Sequence, residues 1–340
     1  IDIVVSADQI NASASLGLYD VRGYINDISI QADGYNSRAS ASITASYDLT
    51  IDSNIHVEAD QNYASASLYL GENFDGSVNL DDISIIAAAH GYDSYVSIDM
   101  NDASAYGNVT DISVIADNEY AFAKVSIDGN ISITNMMKVS ADGNYASAIL
   151  NMNTVHLYDG GNVNVITNHE HAYTELGINN LYANFTGDTL SVYANGYDAT
   201  SSLYLGFGNI TGNITGIEVS ATNQYALASA DIQGSLNISN NIVVEASDND
   251  ATANLHVNEI NFDNGSIHVS AEGTNAQASL DITTVSGHLN GISVYASSDA
   301  SASLDIGVAW GSSDGDNVTS LTGDISVSAA YGGNASADIH

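Results

Sequence analysis

Two sets of side chains in this sequence are of types that hold metal ions. His169-Glu170-His171 places two imidazoles one residue apart, and an HxH pair on an exposed turn offers two ligands of a zinc or copper site. No third ligand stands beside it and the trio occurs once, so the competing reading is two imidazoles serving as ordinary polar turn residues. The second set is a recurring carboxylate: Asp8, Asp33 and Asp60 at one position of three successive repeats, with Asp117 and Asp142 in two more. If repeats stack about 4.8 Å apart, neighbouring charges in such a column repel by about 0.9 kcal/mol in water. Ca2+ bridging adjacent carboxylates relieves that repulsion, as does a saline medium. Carboxylates that splay into solvent relieve it with no ion at all. No turn reads GGxGxD, the calcium-binding repeat signature, and Asp314-Gly315-Asp316 lacks the downstream Glu of an EF-hand loop.

Carboxylate pairs of the kind that cleave polysaccharides are plentiful, but so is Asp throughout the chain. A saccharide cleft also needs long loops and cations to steady anionic sugars. The loops are short and the only basic side chains are Arg22, Arg38, Lys124 and Lys138. There is no Gly-rich phosphate loop leading into a helix, no nucleophile elbow and no cofactor fingerprint. These observations argue against an enzyme. The formal net charge is -37, from 41 acidic and four basic residues; nucleic acid and anionic membrane surfaces are repelled by it.

The elements that must position these residues repeat. Ser266 to Ile282, SIHVSAEGTNAQASLDI, alternates apolar and polar residues through Ile267, Val269 and Ala271. It then turns at EGTN and alternates again through Ala276, Ala278, Leu280 and Ile282, which is strand, turn, strand. The Ala that closes the first strand marks the copies at Ala7, Ala32, Ala59, Ala87, Ala116, Ala141, Ala194, Ala221, Ala246, Ala271, Ala296 and Ala329, with Thr167 in the remaining place. These thirteen copies are spaced mostly 25–29 residues apart, and the last interval is 33. The second strand follows a tighter rule of small, any, small, any, aliphatic. Examples are Ala12, Ala14, Leu16; Ala39, Ala41, Ile43; Ala64, Ala66, Leu68; and Ala335, Ala337, Ile339. A variable piece and a short third strand, such as Val78 with Leu80 or Ile131 with Ile133, complete the copy.

Two all-β architectures fit. In a parallel β-solenoid like residues stack in columns, coil upon coil; in an antiparallel hairpin meander, pairing stays within a copy. Keeping Ala at the same two places in copy after copy favours a narrow solenoid, whose facing strands approach closely. The expectation is one β-repeat array over residues 1–340 without visible caps. Absence of Pro agrees, since a ladder needs nearly every backbone N–H. Cys is absent as well, so no disulfide or Cys-based zinc site exists. The longest uncharged apolar run, Ile85 to Ala89, is far too short to span a bilayer.

In period, composition and lack of Cys the chain resembles the β-solenoid repeats of large secreted bacterial or archaeal surface proteins of the adhesin and filament type. The resemblance implies an exported, extracellular, non-catalytic protein. Ile1 opens in mid-pattern, which points to a processed or partial chain. An array in full stride at both ends adds the expectation of head-to-tail polymerisation, with Ile1, Ile3 and Val5 at one end meeting Ala335, Ala337 and Ile339 at the other. The alternatives are the stalk of a large adhesin and, behind it, a polysaccharide-binding or polysaccharide-cleaving β-helix. Ten N-x-S/T sequons permit, without demonstrating, glycans. Trp310, the only Trp, stands in the longest insertion, residues 307–323, as a candidate lateral contact, with burial against its own coil as the competing reading. Tyr63, Tyr120, Tyr145 and Tyr225 recur just before second strands, where exposed rings could meet a partner or pack the turn.

Overall fold

The computed structural model describes residues 1–340 except 73–76, 159–161, 187–188, 207–209 and 309–319. Among the described residues every regular element is a β-strand. The parallel strands stack as a β-solenoid of about 11 turns. The thirteen marker residues give a slightly higher number. The strands form two compact units, residues 1–164 with 172–180 and residues 165–171 with 181–340, and each is described by itself.

In the first unit, strands Ile3–Ser6, Ile28–Ala32 and Asn54–Ala59 lie in register, and the ends of strands Val78–Ala89, Tyr95–Ala116 and Phe122–Ala141 continue the series. One inward column runs Ile3, Ile28, Ile55, Ile85, Ile112, Met137. The next, two residues on, runs Val5, Ile30, Val57, Ala87, Val114, Val139. The third is Ala32, Ala59, Ala89, Ala116, Ala141. All three columns are buried. Opposite them, Ala14, Ala39, Ala66, Val96, Ala123 and Ala148 form the small-residue column. In the second unit the columns are Leu190, Ile217, Ile242, Ile267, Ile292, Ile325 and Val192, Val219, Val244, Val269, Val294, Val327, with Ala194 to Ala329 closing each strand. Every such ladder is parallel, which excludes the hairpin meander. Burying a branched aliphatic side chain stabilises by about 1.5–3 kcal/mol, and one coil alone would leave that surface wet above and below.

Three registers differ from the sequence reading. Ala59 pairs with Ala89, not Ala87, and Ala89 with Ala116. Likewise Ala14 faces Ala39 and Leu16 faces Ala41, so the second copy's triplet is Ser37, Ala39, Ala41; Leu304 faces Ala337 in the same way in the last copy. A slip of two residues preserves which side chains point inward, so alternation alone does not detect it.

Between first and second strand most coils make a four-residue turn closed by a backbone bond, as from Ala64 N–H to Gln61 carbonyl at 3.0 Å and from Ala146 N–H to Gly143 carbonyl at 3.0 Å. Its last residue is left-handed: Asn11 (φ 56), Asn36 (54), Tyr63 (60), Asp93 (51), Tyr120 (58), Tyr145 (58). The N–H of that residue then bonds to the next coil, as Tyr63 to the Tyr92 carbonyl at 2.8 Å. The turns therefore stack as tightly as the strands. An added Cβ on Gly143 would lie 2.1 Å from the Asn118 carbonyl oxygen, which is why glycine stands there.

Candidate functional site: the turn column of the first unit

The residue that follows the closing Ala begins each turn. With Ala89 as the true marker, that column reads Asp8, Asp33, Asp60, His90, Asp117, Asp142. His90 thus fills the gap in the carboxylate column and is flanked by Asp60 and Asp117. Its Nδ1 donates to both carboxylate oxygens of Asp117, at 2.8 Å each. Its Nε2 faces the other way and lies 3.5 Å from Glu58 Oε1. Glu58 shares the outer face of its strand with His56, whose Nε2 is 3.2 Å from Glu58 Oε2. Above Glu58 stands Ala88, a small side chain over which His90 reaches back.

Glu58, Asp60 and His90 each present one ligand-type atom, and these three atoms all lie within 4.8 Å of one another. Burial first, then the charge of Asp60, raises the Glu58 carboxyl above its ordinary value of 4.5, while His56 and His90 pull it back. One coil below, burial followed by the charges of Asp60 and Asp8 raises Asp33 above 3.8. Asp33 Oδ1 is buried without a hydrogen-bond partner. The column crowds negative charge and answers it with two imidazoles.

Beside this column runs a file of rings. Tyr35, Tyr63, Tyr92 and Tyr120 meet edge to face at centroid separations of 5.6 Å, and Tyr120 stacks on Tyr145 at 5.0 Å and 9°. Tyr35 and Tyr92 occupy the third turn position and the other three the fourth, so alternate coils set their rings at right angles. Holding Tyr in a left-handed conformation costs roughly 1–2 kcal/mol. Ring contacts of about 0.5–1.5 kcal/mol each offset much of it.

Of the residues singled out from sequence, Asp60 joins the cluster. Asp8 instead accepts a hydrogen bond from Ser6 Oγ, and Asp33 contributes charge one coil away. His171 Nδ1 pairs with Asp198 Oδ2 at 3.0 Å, and its ring stands 5.5 Å from Tyr197. The backbone carbonyl of His169 packs under Gly196. Among the described residues neither histidine belongs to a group of three metal-ligating side chains. Ile1 is 73% exposed and Ile339 38%, whereas Ile3 and Val5 are turned into the core; Ala335 and Ala337 are half-buried. Trp310 lies outside the described residues. Glu58 and His90 were missed because the marker at Ala87 puts Ala88, not His90, at the head of the turn.

In the second unit a groove of about 520 Å³ runs over Asn241, Ile267, His268, Ile292 and Asp324. Among the described residues its wall holds one carboxylate, Asp324, and no pair of the kind used in glycoside cleavage. No helix among the described residues is long and apolar enough to cross a membrane. No family model, curated protein or solved structure matches the chain.

Proposed function

We propose that the protein is a non-catalytic, extracellular structural protein whose molecules assemble head to tail, coil upon coil, into a filament or sheath. The observation that carries this reading is the like-on-like register. Each coil offers its neighbour nearly the same inward residues, so the surface needed to add a coil is the one already repeated along each unit. In the proposed contact a coil of a second copy would meet the same inward columns that stack within each unit, such as those through Ile292 with Ile325 and Val294 with Val327. The net charge of -37 repels copies in every orientation at low salt, so the proposed contact should strengthen as salt is raised.

Sedimentation across a concentration series tests it. The wild-type chain should grow in mass with concentration, and Val327→Lys, which sets a charge on the stacking surface, should suppress that growth while circular dichroism stays β-rich. A constant mass of 35.3 kDa at every concentration contradicts the proposal.

A further inference from the structure

We propose that Glu58, Asp60 and His90 form a site for a divalent first-row transition ion of the Zn2+ kind, closed across two adjacent coils. This goes beyond the assembly reading and does not depend on it. Two ligands about 2.1 Å from one tetrahedral ion stand about 3.4 Å apart, and His90 Nε2 and Glu58 Oε1 are separated by 3.5 Å. Asp60 needs only a side-chain adjustment to close the set, because its ligand atom lies within 4.8 Å of the other two and the residue is exposed on the turn.

A second, independent feature points to a ligand. His90 turns Nδ1 to the Asp117 carboxylate, so in the neutral ring the proton held there leaves the lone pair on Nε2, the nitrogen that faces Glu58. Carboxylate, imidazole and metal in that order is the usual outer support of a metal-bound histidine. His56 holds the other oxygen of Glu58 and so orients that ligand as well. Glu58 is 18% exposed and His90 33%, which leaves a solvent-facing position for a water ligand. Two carboxylates with one imidazole suit Zn2+ or Co2+, whereas Ca2+ takes oxygen ligands throughout. The ion would bind one coil to the next and neutralise the most crowded stretch of the column.

The test is calorimetric titration of Zn2+ into the chelator-stripped full chain, with Co2+ absorption as a probe of geometry. One Zn2+ per chain should bind at this site. His90→Gln and Asp60→Asn should each weaken it at least about tenfold, and Asp117→Asn, which alters only the positioning group, by about 10–100-fold. His171→Gln should leave it unchanged, and Ca2+ at equal concentration should not displace Zn2+. Asp60 is exposed on its turn, so Asp60→Asn serves even if His90→Gln disturbs the fold. Absence of stoichiometric uptake overturns the proposal. So does uptake indifferent to His90→Gln and Asp60→Asn, loss on His171→Gln instead, or displacement by Ca2+.

Discussion

The two units build their turns on one backbone plan and fill them with opposite chemistry. In the first, the turn opens with Asp8, Asp33, Asp60, His90, Asp117 and Asp142; in the second, the same place holds Asn168, Asn195, Thr222, Ser247, Glu272 and Ser297. An amide both donates and accepts, so a column of amides satisfies itself. Asn195 Nδ2 donates to Asn168 Oδ1 at 3.2 Å, and Thr222 Oγ1 to Asn195 Oδ1 at 2.5 Å. Carboxylates only accept. The first unit must bring in His56 and His90, and still leaves Asp33 Oδ1 without a partner. Ring files follow the same division: five tyrosines run through the first unit, against His171, Tyr197 and Tyr225 in the second. Stacking sets the geometry in both, and only the side chains decide whether a column is inert or poised to take a cation.

The largest effect should be shared, because it tests the common backbone. Gly143→Ala in the first unit and Gly196→Ala in the second drive a Cβ to 2.1 Å and 1.9 Å from a carbonyl oxygen of the coil below. Each should cost about 1–3 kcal/mol in denaturant unfolding; a cost in one alone would mean that the turns do not stack alike.

Buried hydroxyls should separate the units by sign. Ser94 Oγ in the first is buried without a partner, so Ser94→Ala should raise stability by roughly 1 kcal/mol. Ser201 in the second donates to the Tyr193 carbonyl at 2.5 Å and meets Thr167 Oγ1, so Ser201→Ala should lower it by about the same amount. Thermal melts of the pair show whether the signs differ.

The ring file is worth less. Tyr63→Ala removes edge contacts to Tyr35 and Tyr92 and leaves the left-handed backbone cost in place, because Ala keeps the Cβ that causes it. A net loss of about 1 kcal/mol is expected, with a fall in near-ultraviolet dichroism. An unchanged spectrum would mean that the rings are not coupled.

Acid should act mildly, and on the first unit. Glu58 and Asp33 titrate above their ordinary values of 4.5 and 3.8 in the fold. Their contribution to stability is therefore fully present below those ordinary values and is lost as pH rises through the raised ones. Hydrogen exchange in Asn54–Ala59, corrected for its intrinsic pH dependence, should show more protection near pH 4 than near pH 7, with no such gain from the Asn168 and Asn195 column. On the alkaline side Tyr173 and Tyr193, pushed up to about 12 by burial and by hydrogen bonds to Glu175 and Glu218, should ionise last in an absorbance titration.

Much of the fold was legible because alternation with a recurring Ala leaves few arrangements, and small residues in columns favour parallel stacking over hairpins. What the alternation could not provide was absolute register. In Ala87-Ala88-Ala89 three equivalent residues offer two markers with identical inward and outward faces. Choosing Ala87 hid His90, and with it the cluster on Glu58 and Asp60. The HxH pair drew notice because its ligands are adjacent in sequence; the described cluster joins residues 58, 60 and 90, which only stacking brings together. Counting back from the left-handed turn residue, Asp93 against Tyr63 and Tyr120, would have placed His90 correctly.

Electron microscopy of the purified chain, with diffraction from aligned material, tests most directly whether coils join across molecules as they join within one. The account predicts filaments much longer than a single chain, with a meridional reflection near 4.8 Å, the parallel strand spacing. Uniform single-chain particles at every concentration, or filaments lacking that reflection along their axis, would contradict it.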